Sequence, residues 1–173
     1  MRGGVAAISR DAGGRAPPAG VLVVGVGNVL LGDEGFGVHV VRDLARDTAP
    51  RDDVAWLDAG TALLDCAGEL ARHRHVILVD AIRAGAPPGT IHRIADAMRL
   101  ADEPAARSLS LHGWGVAETL GAVRRLGLVP PAIELIGAEP DRIEPGMELS
   151  PPLAEAAERV VAILREELGL APA

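Results

Sequence analysis

GVGNVLLGDEGFG, residues 25–37, decides how the rest of the chain is read. The aliphatic run VLVV (21–24) leads into it and VHVVRDLAR (38–46) follows. Strand, glycine-rich turn and helix in that order open a parallel α/β unit. The turn does not suit a polyphosphate. A dinucleotide-binding turn needs G-x-G-x-x-G; Gly25 and Gly27 fit, but Leu30 stands where the third glycine belongs. A Walker-type loop needs a lysine, and the chain has none. Asp33 and Glu34 are adjacent acids that repel phosphate. Their plainest role is local: Asp33 caps the first helical N–H groups, and Glu34 in the first turn suits the helix dipole.

Composition bounds the alternatives. At 173 residues and 49% hydrophobic content, the chain can bury one good core in a single domain. A formal charge of −7 argues against nucleic acid and anionic membrane as partners. All 17 basic residues are arginine, so lysine chemistry is excluded. The single cysteine, Cys66, permits no internal disulfide and fits a reducing cytoplasm. No apolar run reaches the roughly 18 residues of a membrane span. Residues 1–20 are rich in Gly, Ala, Arg and Pro, with no sustained apolar segment. They read as a flexible tail, of which residues 1–18 can be deleted without loss of folding or activity, ahead of one domain over 21–173.

Working outward, strands and helices alternate. Strands are predicted at 21–26, 53–58, 75–80, 90–95 and 132–137, the first and third as continuous aliphatic runs buried on both faces. Helices are predicted at 34–46, 61–72, 113–128 and 150–168. The last is capped by Ser150, has prolines in its first turn, and carries Leu153, Ala157, Val160, Val161, Leu164 and Leu168 on one face. Residues 96–110 and 138–149 read as loops. The expected fold is a three-layer α/β/α sandwich around a mostly parallel sheet.

Sites in such sheets form at the carboxyl ends of strands. Asp33 and Glu34 follow the first strand, Asp58 ends the second in WLDAGT, and Asp80 ends the third in ILVDA. His112, in SLSLHGWG, precedes a helix. Each residue alone suits a cap or turn; together on one rim they resemble a site. An imidazole with two carboxylates is a ligand set for a divalent metal with coordination positions left open.

The motifs GVGNVLLGDEGFGVHVV, LDAGT, ILVDA, SLSLHGWG and IGAEPDRIEPGMELSPPL resemble those of the hydrogenase maturation endopeptidases. The resemblance spans about residues 21 to 168. It implies a single α/β/α domain and a protease that trims the C-terminal extension of a nickel–iron hydrogenase large-subunit precursor. It further implies that nickel, carried by that substrate, is contacted by Glu34, Asp58 and His112, with Glu34 and Asp58 catalytic. Hydrolysis by a metal-activated water, or by a carboxylate base with nickel polarising the carbonyl, are both compatible with that set. A second function class uses the same fold without cutting: a maturation chaperone that holds nickel or the immature subunit.

The remaining reactive side chains have plainer readings. HExxH and GxSxG are both absent, which sets aside an ordinary zinc protease and a hydrolase-type serine. Cys66 shares a helical face with Leu63, Ala67 and Leu70 and reads as an inert buried thiol. His39 falls with Arg42 and Arg46 on the polar side of its helix. His73 and His75 sit near a helix end, and His92 points outward from its strand. Asp80 either lines the cleft or braces a loop.

Overall fold

The computed structural model describes residues 19–103 and 115–173. His112 and residues 1–18 of the expected tail lie outside them. The strand starts earlier than the sequence suggests: Ala19 and Gly20 belong to it.

The elements are β1 (Ala19–Val26), a 3-10 turn at Asp33–Gly35, α1 (Phe36–Asp47), β2 (Val54–Gly60), a second 3-10 turn at Leu63–Cys66 and α2 (Ala67–Leu70). They continue with β3 (His73–Ala81), β4 (Ile91–Ile94), a third 3-10 turn at Ala97–Asp102, α3 (Val116–Arg125), β5 (Ala132–Ala138) and α4 (Pro151–Leu168). The five strands lie in the order β2-β1-β3-β5-β4. All neighbouring pairs are parallel except β4 with β5, which is antiparallel at the sheet edge.

Alternation along the central strands feeds two cores. Val23, Ile77, Val79 and Ile136 face α1 and α4, which close over them with Phe36, Val40, Leu44, Leu153, Val160 and Leu164. Leu22, Val24, Leu78 and Leu135 face the other way, under Leu63, Leu70, Leu100, Leu120 and Val123. A strand covered on both faces has no polar side, hence the unbroken aliphatic runs of β1 and β3. The three-layer expectation holds.

Three local expectations change. The helix predicted over 61–72 is a 3-10 turn followed by one α-helical turn. Gly68 lies within that turn, and so short a helix has little stability of its own. The predicted burial of Leu63, Ala67 and Leu70 is nevertheless correct. Residues 97–102, expected to be loop, form a 3-10 turn that buries Ala97 and Leu100; a three-residue period is easily missed in so short a segment. Ser150 occupies the N-cap position of α4, but its side chain makes no cap bond to the helix. Its hydroxyl donates to Asp33 instead.

Candidate active site

The rim at the carboxyl ends of β1 and β3 is built by close backbone contact. A Cβ on Gly37 would sit 1.9 Å from the Val79 carbonyl oxygen and 2.6 Å from that of Val26. A Cβ on Gly25 would sit 2.4 Å from the Gly37 carbonyl oxygen. Only glycine lets α1 begin directly against the ends of both strands. The turn carrying Asp33 and Glu34 is thereby held over the end of the sheet.

Glu34 is 5% exposed. Burial pushes its carboxyl pKa above the ordinary glutamate value, because the charged form loses hydration. A residue serving only the helix dipole has no need of that cost.

Asp33 is fully buried and is not a helix cap: the turn is preceded by Gly32, with no side-chain cap bond. Its Oδ2 accepts from the Asp141 N–H at 2.9 Å, the Arg142 N–H at 3.1 Å and the Ser150 hydroxyl at 2.8 Å. Its Oδ1 accepts from the Ser150 N–H at 2.6 Å. The carboxylate therefore ties the segment between β5 and α4 to the Glu34 turn. No local sequence signal announces this, since the partners are 108 to 117 residues away.

Asp58 and Asp80 both end strands beside β1, but on opposite faces of the sheet. Trp56 belongs to the α1/α4 face and Leu57 to the other, so Asp58 returns to the α1 face. There its Oδ2 accepts from Arg42 Nε at 2.9 Å and lies 2.8 Å from Nη2, while Oδ1 accepts from the Gly60 N–H at 3.0 Å. Its side chain is 34% exposed, and it lines a cleft of about 210 Å³ with Gly27, Asn28, Leu30, Arg42 and Thr61. Along β3, Leu78 faces the α3 layer and Val79 the α1 layer, so alternation sends Asp80 to the α3 side. Asp80 is fully buried, and its Oδ1 accepts from the Ala81 N–H at 2.8 Å. Among the described residues, no group of three His, Cys, Asp or Glu side chains is placed to hold a metal. Glu34 and Asp58 are therefore not joined by a third described ligand, and His112 lies outside the described residues.

The other histidines differ in part from their sequence readings. His39 is half-buried, with Nε2 sealed from solvent and without a hydrogen-bond partner among the described residues. His73 Nδ1 does meet the end of α2, 3.0 Å from the Glu69 carbonyl oxygen. His75 lies inside β3, with Nε2 3.2 Å from Glu134 of β5. His92 is half-buried rather than outward-pointing, 3.4 Å from Glu139. Glu139, another buried acid that the sequence did not single out, accepts from the Ala84 and Gly85 N–H groups at 2.8 and 3.1 Å. Cys66 is half-buried against the α3-side core, and burial raises its thiol pKa, as an unreactive cysteine requires.

Comparison with known proteins agrees with this architecture. The family described as hydrogenase maturation protease matches residues 38–167. The hydrogenase 2 maturation protease of Escherichia coli is 39% identical over 155 residues, covering 84% of this chain and 91% of that protein. A hydrogenase expression/formation protein of Bradyrhizobium diazoefficiens is 37% identical over 140 residues, covering 78% of this chain and 70% of that protein. The solved structure of a hydrogenase-maturating endopeptidase from E. coli superposes with a TM-score of 0.70 at 35% identity, covering 88% of this chain and 96% of that one. With the fold, the motifs and the extent of these matches in agreement, the chain belongs to the hydrogenase maturation proteases.

Proposed function

We propose that this protease removes the C-terminal extension of a nickel-loaded nickel–iron hydrogenase large-subunit precursor. The observation that carries the reading is Glu34: an acid buried at the carboxyl rim of the sheet, its pKa raised, in a chain of this family. A carboxylate stripped of water is a better proton acceptor than an exposed one, and a cation brought to it restores the charged form. Both properties serve peptide hydrolysis beside a metal carried by the substrate. The single Cys66 suits a reducing cytoplasm. No helix among the described residues is long and apolar enough to cross a membrane.

For the metal-contacting set, Glu34 and His112 remain the first choices. Asp58 is the second carboxylate by resemblance, but Arg42 and the Gly60 N–H already occupy its oxygens. Asp80 is favoured on geometry: it is buried and faces the layer of α3, the helix that follows His112. Precursor processing separates the two. Glu34→Gln and His112→Ala should abolish cleavage. If Asp80 is the ligand, Asp80→Asn abolishes it too, and Asp58→Asn only slows it.

The deciding experiment is a mass measurement on purified large-subunit precursor, nickel-loaded or metal-free, with and without this protein. Loss of a C-terminal peptide from the loaded form alone is the expected result. Binding with unchanged mass would instead make the protein a non-catalytic chaperone. Equal cleavage of both forms would remove nickel as the recognition handle.

A further inference from the structure

The segment tied down by Asp33 and the turn ahead of Asp33 each carry an exposed apolar side chain with no part in hydrolysis. Leu30 is 61% exposed and Met147 is 64% exposed. They are not scattered. The Gly146 N–H donates to the Leu30 carbonyl at 3.0 Å and the Gly32 N–H to the Gly146 carbonyl at 2.8 Å, so the two backbones run side by side. Asn28 Oδ1 accepts from the Leu30 N–H at 3.0 Å and fixes the turn that presents Leu30. Together they form a two-residue apolar ridge on backbones joined by hydrogen bonds.

Each of its two side chains lines a cleft. Leu30 lines the smaller one, of about 210 Å³, with Arg42 and Asp58. Met147 lines the larger, of about 370 Å³, with Gly32, Arg142, Glu144 and Glu148. Arg142 is spent on Glu144, at 3.1 Å. Glu148 forms no ion pair among the described residues, so the larger cleft carries net negative charge. Gly32, in its wall, directly precedes the turn that holds Glu34.

We propose that the Leu30–Met147 ridge and its acidic cleft are the docking surface for the substrate polypeptide, selecting a segment with an apolar residue next to a cationic one. The inference rests on the peptidase reading for the identity of that substrate. Its chemistry follows from the surface: exposed Leu and Met offer an adaptable apolar contact, and the exposed Glu148 carboxylate rewards positive charge. Continuity with the Glu34 turn places a bound segment beside the buried acid.

The test is the dissociation constant for nickel-loaded precursor, measured by biolayer interferometry with full-length protein, alongside steady-state processing. Leu30→Ser and Met147→Ser should each weaken binding roughly tenfold, as loss of an apolar anchor does. KM should rise and kcat should hold, with melting temperature unchanged because both side chains are exposed. Glu148→Arg should weaken binding of the parental precursor and regain it with a precursor whose cationic residues near the cleavage site are changed to Glu. Leu126→Ser is the control: Leu126 is 62% exposed, but it follows α3 at the opposite end of the sheet. Unchanged affinity in both ridge variants overturns the proposal, and so does an equal loss in Leu126→Ser. So too does a ridge that proves to be a self-association surface, its variants becoming monomeric while precursor affinity stays constant. A parent that binds without cutting would fault the peptidase reading alone, and the affinities would still decide the ridge.

Discussion

Replacing Asp33 by Asn is the sharpest probe of how the rim is held. Both carboxylate oxygens accept hydrogen bonds: Oδ1 from the Ser150 N–H, and Oδ2 from the Asp141 and Arg142 N–H groups and the Ser150 hydroxyl. An amide turned to cost least puts its NH₂ at the Oδ1 position, against the Ser150 N–H alone, and its carbonyl at the Oδ2 position, where it still accepts from the other three donors. Hydrogen bonds to charged groups are worth about 1.5–3 kcal/mol each against about 1 kcal/mol for neutral ones, so losing one and weakening three puts the penalty near 4 kcal/mol. For a domain of this size that is roughly 8–16 °C in melting temperature. Had Asp33 been a helix cap, Asn would replace it with almost no change in melting temperature, since the two cap about equally well. Thermal melting distinguishes the two, and hydrogen exchange at Asp141, Arg142 and Ser150 catches the case in which the segment detaches locally. An Asp33→Asn protein that melts within a few degrees of the parent and keeps parental protection at those amides would refute the anchoring role.

Other outcomes follow from the same groups. The folded pKa of Glu34 is raised, so the fold holds that proton more tightly than the unfolded chain; its contribution to stability is full below the ordinary value of 4.5 and is lost as pH rises through the folded pKa. Glu34→Gln should therefore gain stability relative to the parent as pH rises toward neutrality, while losing processing; a pH series of melts checks it. Glu139 has the opposite sign. Burial opposes its ionisation, but the N–H groups of Ala84, Ala86 and Gly85, with His92, outweigh burial and lower its pKa. Its contribution is present above 4.5 and lost as pH falls through the folded pKa, so Glu139→Gln should flatten the acid limb of the stability curve. Gly37→Ala forces a methyl to within 1.9 Å of the Val79 carbonyl oxygen, so it should cost at least about 3 kcal/mol, read by urea unfolding, or prevent folding.

What could be read in advance divides by sequence distance. The aliphatic runs of β1 and β3 and the one-sided face of α4 are local signals of burial, and all three elements stand where they were expected. The antiparallel setting of β4 was not legible, because alternation reports a half-covered strand but not its direction. Asp33 looked like a cap because caps are local, whereas its partners lie beyond β5. Asp58 and Asp80 looked equivalent because each ends a strand. Which face each side chain takes depends on the register of β1 with both neighbours, where Gly25 pairs with Asp58 on one side and Val79 on the other. The Arg42 contact that engages Asp58 comes from a different element and leaves no trace in spacing.

The glycine contacts at Gly25 and Gly37 also set how the rim can move. Where helix and strand backbones touch directly, no layer of side chains can shear or repack between them, so Glu34 travels with the sheet as one body. The segment at 141–150 is attached differently, by hydrogen bonds to one carboxylate and to the backbone of the turn. The two walls of the cleft thus belong to different tiers of local stability: one opens only with the whole domain, the other by breaking a handful of polar bonds.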